Sequence, residues 1–446
     1  MRNLKHPLGM FGAIMTVFAI LVLVGGALFW QSGKAQAATL KLHGVTVHPI
    51  ILSTSKAGPN PDKLLFACQL PNAPFRCYSP QQIATAYSIN PLYKDGITGK
   101  EETIVIVDAY QSPTIVSDLQ TFDATFSLPD PNLNIIAPLG LTKFDPKDPN
   151  QVGWSQEITL DVEWAHAIAP KATIDLVLAP SSMDADLLGV TKYAVDNNLG
   201  GVISQSFGEA ETCADPALLV QEHQVFANAV DKHITLLASA GDNGAAQPTC
   251  DGKSFILSAS TPASDPFVTA VGGTQLFATA KGTYRAEIVW NESDLGLPYN
   301  IGGGGGFSTI YAKPDYQHGV VPGKTRGVPD VTYNAAVNGG VLVNYDGAFS
   351  LFGGTSAGSP QWAGLVALAN QYQGERVGFL NPTIYSLGQG WSHSQVFHDI
   401  IAGNNSFFFL DGSLRITGYS ADKGWDAASG FGSPIASELV KKLNGE

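Results

Sequence analysis

Residues 102–109 read ETIVIVDA, an apolar, β-branched run that ends on an aspartate. Four more runs of this kind follow: Thr173–Leu178 (TIDLVL), Gly201–Ser206 (GVISQS), Ile234–Ala240 (ITLLASA) and Phe267–Gly272 (FVTAVG). Their hydrophobicity is nearly continuous rather than alternating, as in strands buried on both faces of a parallel sheet. Helical stretches separate several of them: Pro113–Phe126, Ser155–Ala169, Asp184–Asn197 and Pro216–Asp231. Ser112 is a candidate N-cap for the first, with Pro113 in its first turn. This alternation predicts an α/β doubly wound domain, a mostly parallel sheet with helices on both faces. The glycine run Gly302–Gly306 falls inside the pattern, which favours a tight loop with close backbone approach over a linker.

The chain has 446 residues, 44% of them hydrophobic and 14% charged, which suits a sizeable core and excludes a solvated disordered chain. Its net charge of −13 and the lack of any basic run exclude nucleic acid as a partner. Arg2, Lys5 and His6 precede an uncharged stretch from Met10 to Trp30, and Ala35-Gln36-Ala37 then offers a small-x-small cleavage site. Residues 1–37 are thus expected to be a signal peptide, or else an uncleaved membrane anchor, and either reading puts the rest of the chain outside the cell. Residues 38–66 read as a polar connector or short pro-segment, and one domain is expected over 67–446. Four cysteines allow three pairings, of which proximity favours Cys68–Cys77 with Cys213–Cys250; no CxxC pair supports a zinc site.

The string Gly353-Gly354-Thr355-Ser356-Ala357-Gly358-Ser359-Pro360 leads into the apolar helical pattern QWAGLVALAN. Ser356 would stand at a helix N-terminus, where unpaired N–H groups and the positive dipole end favour an oxyanion. A serine there is ordinarily only an N-cap. The string as a whole makes Ser356 the candidate nucleophile.

Within Ser155–Ala169, with Ser155 as candidate N-cap, Glu157 and Asp161 lie four residues apart and share a helix face. Such a pair is usually a solvated acidic face. Buried together, the two would share a proton, and Glu157 could accept the proton of Ser356 while Asp161 supports it.

These motifs resemble the sedolisin family, the serine-carboxyl peptidases of the subtilisin clan. The resemblance runs over about residues 77 to 434, and it includes Ala109–Thr114 (AYQSPT), Val271–Thr274 (VGGT), Val328–Val331 (VPDV) and Phe379–Tyr385 (FLNPTIY). It implies a subtilisin-like fold and a Ser356–Glu157–Asp161 triad. It makes Asp242, in Ser239-Ala240-Gly241-Asp242-Asn243-Gly244, the residue that stabilises the oxyanion. It also implies one structural calcium ion, with Asp399 and Asp426 as side-chain ligands and Ile400, Asp422 and Gly424 as carbonyl donors. Position 422 is commonly glycine in the family. Hard oxygen donors of this kind suit calcium. The expected activity is hydrolysis of polypeptide substrates at acidic pH by a secreted monomer.

Two departures stand out. The family's long folded pro-domain has no counterpart here, since only residues 38–66 separate the leader from the catalytic region. Phe207 replaces an aromatic that is often tryptophan. Asp108 ends a strand where clan members also place an acidic residue, so it is either a supporting group or a strand-end turn residue. Two rival readings remain at this point. One is a histidine-dependent protease using His166, although His166 lacks the clan's His-Gly-Thr context and His43-Gly44-Val45 lies in the connector. The other is an inactive exported binding protein on the same scaffold.

Overall fold

The computed structural model describes residues 72–443 and, ahead of them, 45, 50–54, 56–57 and 65–70. The expected leader lies outside the described residues, as do His43 and much of 38–66. Residues His43–Glu446 form one compact unit. Its first strand is β1 (Ile50–Ser53), which falls within the stretch expected to be a connector.

The central sheet has eight strands: β2 (Thr103–Ala109), β3 (Asn132–Ile136), β4 (Thr173–Ala179), β5 (Val202–Gln205), β6 (Thr235–Ser239), β7 (Thr269–Ala278), β8 (Tyr284–Val289) and β9 (Val331–Asn334). Their order is β8-β7-β6-β5-β2-β4-β3, with β9 also paired to β7. Every pairing is parallel except the β7–β8 hairpin. The five runs quoted above became β2, β4, β5, β6 and β7, so the expected doubly wound class holds. Continuous hydrophobicity has a plain cause. Ile104 and Ile106 of β2 belong to one core with Trp164 and Trp362, while Val105 and Val107 belong to another with Val190 and Phe226. Successive side chains point to opposite faces, and both faces are covered.

Helices α1 (Ile115–Phe126), α2 (Pro149–Ile168), α3 (Asp184–Asp196), α4 (Pro216–Asp231) and α5 (Gly358–Gln373) supply the outer layers. α2 and α5 pack against each other on one face, and α3 and α4 on the other. A Cβ on Gly364 of α5 would stand 2.6 Å from Cβ of Ile168. Glycine therefore sets how closely α5 approaches α2. α2 begins six residues earlier than expected. Its N-cap is Asp148, which accepts the Asn150 N–H at 3.0 Å, with Pro149 at the first position; Ser155 is an interior residue. Likewise Ser112 does not cap α1, whose N-cap is Thr114.

A second sheet joins β10 (Gly340–Tyr345) and β11 (Ala348–Gly353) in a hairpin, with β1 antiparallel on the free edge of β11. Both favoured disulfides are present, Cys68–Cys77 and Cys213–Cys250. The glycine run is a site of close approach: a Cβ on Gly304 would lie 1.9 Å from the Ala240 carbonyl oxygen. Its N–H donates to Gly241 at 2.7 Å and so braces the loop that carries Asp242. Among the described residues, no helix is long and apolar enough to cross a membrane.

Candidate active site

Ligands of open α/β sheets bind beyond the carboxyl ends of the strands, where neighbouring strands send their connections in opposite directions. Here β2 and β5 are such neighbours. Asp108 is the penultimate residue of β2, Ser206 follows β5, and the Gly241-Asp242 turn follows β6. β11 runs in from the second sheet and continues through Gly354 and Thr355 to Ser356. A cavity of about 570 Å³ opens here, and Glu157, Ser206, Gly241, Asp242, Thr355 and Ser356 are among its lining residues.

Ser356 is half-buried in a short 3-10 turn, Thr355–Ala357, just ahead of α5. It therefore precedes the helix proper rather than opening it. Gly354 sends the chain into this turn at φ +125°, a conformation close to glycine-only. The Ser356 hydroxyl donates to the Ser206 carbonyl at 3.4 Å, a long bond, and is within reach of the Glu157 carboxyl.

Glu157, Asp161 and Asp108 are buried. Burial pushes the Glu157 carboxyl well above the usual glutamate range, and the Asp161 charge adds to this; the Ser356 hydroxyl works the other way. Burial also raises Asp161 well above its ordinary value, with Asp108 as the next cause and the Ser206 hydroxyl opposing. Asp108 is raised in turn by burial and then by Glu157. No donor meets either oxygen of Asp108, Glu157 keeps Oε1 free, and Asp161 has only the Ser206 hydroxyl near it. Burial with so few donors disfavours the charged form of each of the three groups. The i, i+4 pair is thus buried and not a solvated face. Asp108 joins it rather than capping a turn.

Asp242 reaches Ser356 through Thr355. Its Oδ1 accepts the Thr355 N–H and the Thr355 hydroxyl, both at 2.8 Å. A Cβ on Gly354 would lie 2.6 Å from its Oδ2, so that oxygen rests against the backbone entering the nucleophile turn. Burial raises the Asp242 carboxyl above its ordinary range, with the two Thr355 bonds opposing. Sequence reasoning missed Ser206 and Thr355. Thr355 lay within the quoted string, but its bond to a loop far away in the sequence left no local signal.

His166 is elsewhere. It is fully buried toward the end of α2, 3.1 Å from Asp123 of α1.

The Asp399 and Asp426 carboxylates meet the same turn from separate segments. The Gly424 N–H lies 3.1 and 3.2 Å from the two Asp399 oxygens, and the Asp422 N–H lies 3.1 Å from Asp426 Oδ2. Asp426 also accepts the Ala428 and Ser429 N–H groups and the Ser429 hydroxyl, each at 2.9 Å. Asp422 is not among the residues of positive φ, so an aspartate stands there without backbone strain. Among the described residues, no three His, Cys, Asp or Glu side chains converge on one metal position. The Asp399 and Asp426 carboxylates are hard oxygen donors of the kind calcium takes, and the groups that meet them here are N–H and hydroxyl donors.

No family model matches the chain. Kumamolisin from Bacillus sp. (strain MN-32) is 36% identical over 376 residues, which are 82% of this chain and 63% of that protein. Sedolisin from Pseudomonas sp. (strain 101) is 31% identical over 369 residues, 80% of this chain and 59% of that protein. The chain thus spans about three-fifths of the length of the curated relatives it matches. The solved structure of Pseudomonas sedolisin, a serine-carboxyl proteinase complexed with two molecules of pseudo-iodotyrostatin, superposes with a TM-score of 0.72 at 31% identity, covering 82% of this chain and 97% of that one. With this likeness over nearly the whole of that structure, and with a subtilisin-like sheet beneath the cavity, the chain belongs to the sedolisin family of serine-carboxyl peptidases.

Proposed function

We propose that the chain hydrolyses peptide bonds in unfolded polypeptides, in acid, through an acyl-enzyme. The observation that carries this reading is the set of buried carboxyls, Glu157, Asp161 and Asp108, behind the half-buried Ser356 at a cavity. Ser356 Oγ attacks the substrate carbonyl carbon while its proton passes to Glu157. Asp161 and Asp108 stabilise the protonated state of Glu157 by sharing protons with it. The oxyanion accepts hydrogen bonds from protonated Asp242 and from the Ser356 N–H. Glu157 then gives its proton to the leaving amine, and water releases the acyl group by the same route in reverse. His166 is unsuited as base, being locked against Asp123 in the interior. Two disulfides support work in an oxidising compartment, and hence secretion. Digestion of an unfolded protein at several pH values, with products identified by mass, tests the reading and separates internal from tripeptidyl cleavage. An absence of cleavage at every pH would overturn it.

Asp242 gives the reading a pH signature. Ionised, it would repel the developing oxyanion; protonated, it donates to it. Its raised pKa extends the protonated range upward from that of an ordinary aspartate, and activity falls as pH rises through the shifted value. Asp242→Asn donates at any pH. Its rate should be lower in acid, but its alkaline limb should flatten or move upward by at least about one pH unit. An alkaline limb identical to that of the parent at equal stability would remove Asp242 from this role.

We also propose one calcium ion held by Asp399 and Asp426 with the Ile400, Asp422 and Gly424 carbonyls. When bound, the ion would cross-link two C-terminal segments and stabilise the native state by mass action. Excess chelator should lower the melting temperature by several degrees, since about 4 kcal/mol is at stake when the ion is a thousandfold above its Kd. An unchanged melt, with no calcium in elemental analysis, would dismiss the site.

A further inference from the structure

The two carboxyl oxygens of Asp242 have unlike surroundings. Oδ1 accepts two bonds from one residue, the Thr355 N–H and the Thr355 hydroxyl, both at 2.8 Å. Among the described residues no donor meets Oδ2, which rests against Gly354. Asp242 itself lines the cavity that holds Ser356. The Thr355 hydroxyl is fixed in direction. Its oxygen already accepts the Gly241 N–H at 3.1 Å. A hydroxyl has one proton to give, and Oδ1 is the acceptor within reach of this one.

This arrangement decides where a proton on Asp242 sits. A proton on Oδ1 would turn the Thr355 hydroxyl proton away, with no acceptor to meet it. A proton on Oδ2 leaves both Thr355 bonds intact. Thr355 is also the chain neighbour of Ser356. One residue therefore ties the turn after β6 to the turn that carries the nucleophile, and it does so through the oxygen that stays an acceptor.

We propose, resting on the peptidase reading above, that Thr355 is a positioning residue: its N–H and hydroxyl hold Oδ1 of Asp242 as an acceptor and so reserve Oδ2 for the proton that meets the oxyanion. The same two bonds set the pH range of the site. They favour the ionised form of Asp242 and oppose the rise that burial causes. Thr355 thus gives orientation and narrows the alkaline range. The titratable group that interacts with Asp242 by charge is Glu157 of α2. The other segments against this turn, the glycine run and Gly354-Thr355, carry no charge. A change at Thr355 therefore reaches the pH profile through Asp242.

Two variants separate orientation from bulk. Thr355→Val keeps the shape of the side chain and loses the hydroxyl; Thr355→Ser keeps the hydroxyl. Thr355→Val should lower kcat in acid by roughly tenfold or more, because the donor to the oxyanion is no longer held in place. It should also move the alkaline limb of kcat upward by about one pH unit, because a bond that favoured the charged form is gone. Thr355→Ser should keep the limb of the parent. With Asp242→Asn already in place, Thr355→Val should move the limb no further. An equal shift in that background, or an unmoved limb in folded Thr355→Val, would overturn the proposal.

The carboxyl can also be read without turnover, which separates this proposal from the peptidase reading. In full-length Ser356→Ala protein labelled with carbon-13 at the aspartate carboxyls, the Asp242 resonance is the one lost on Asp242→Asn. Its titration midpoint should rise by about one pH unit with Thr355→Val and stay in place with Thr355→Ser. A midpoint that does not move, or that moves equally with both changes, overturns the proposal whether or not the parent cleaves peptides. A midpoint that moves only with Thr355→Val, in a protein whose parent cleaves nothing, upholds the hold of Thr355 on Asp242 and dismisses the peptidase reading alone. If Thr355→Val does not melt cooperatively, Thr355→Ala removes the same hydroxyl with less bulk and serves in both measurements.

Discussion

Ser356→Ala is expected to lower kcat/KM on an unstructured peptide by roughly 10⁵–10⁶-fold, the loss typical when the nucleophile of a serine peptidase is removed. The fold should be untouched. The lost oxygen makes one long hydrogen bond to the Ser206 carbonyl, and the turn that carries it is set by Gly354 and by the Thr355 bonds to Asp242. Melting temperature and circular dichroism should match those of the parent. Activity above about one per cent in a purified, folded variant is incompatible with Ser356 as nucleophile.

Glu157→Gln should cost about 10⁴-fold in kcat/KM, near the upper end for losing a positioned general base. The amide keeps the shape of the carboxyl but cannot accept the serine proton. Stability should change little, because burial disfavours the charged form of Glu157 and the neutral amide carries no charge to desolvate. The two changes combined should be no worse than Ser356→Ala alone, since nucleophile and base act as one unit. His166→Gln is the control. The sequence alone suggested that it would matter little. The structure makes it a stability variant, because it strips the buried Asp123 of its partner. It should lower the melting temperature and leave turnover per folded molecule nearly unchanged. If His166→Gln is the change that abolishes turnover in folded protein, the carboxylate base is wrong.

The sheet was legible because parallel strands covered on both faces are apolar on both sides, and the IVIV of ETIVIVDA shows that without context. The i, i+4 spacing of Glu157 and Asp161 was legible for a similar reason, since helical geometry is local. The start of α2 was misread because Ser155 is a good N-cap by type. The stronger signal, Asp148 followed by Pro149, lay seven residues upstream of Ser155. β1 was invisible: four residues, IILS, in a polar stretch rich in proline and serine carry no periodicity, and its partner β11 lies about three hundred residues away. Asp108 was ambiguous in the sequence, because a strand-end aspartate is common, and its burial and the arrival of Glu157 from another element, which raise its pKa, leave no local signal. The same limit hid the burial of His166, whose partner Asp123 belongs to a different helix.

The order of the central sheet bears on how the molecule comes into being. Glu157, Asp242 and Ser356 are delivered by α2, by the turn after β6 and by the turn after the β10–β11 hairpin, segments far apart along the chain. They meet only after several parallel pairings have closed, and each closure costs loop entropy before any contact repays it. Folding with so many non-local contacts is slow, and no early, locally formed intermediate contains both nucleophile and base. A chain still folding is itself an unfolded polypeptide, the kind of substrate proposed here. The topology keeps such chains harmless to one another until each has buried the backbone that a neighbour would otherwise cut.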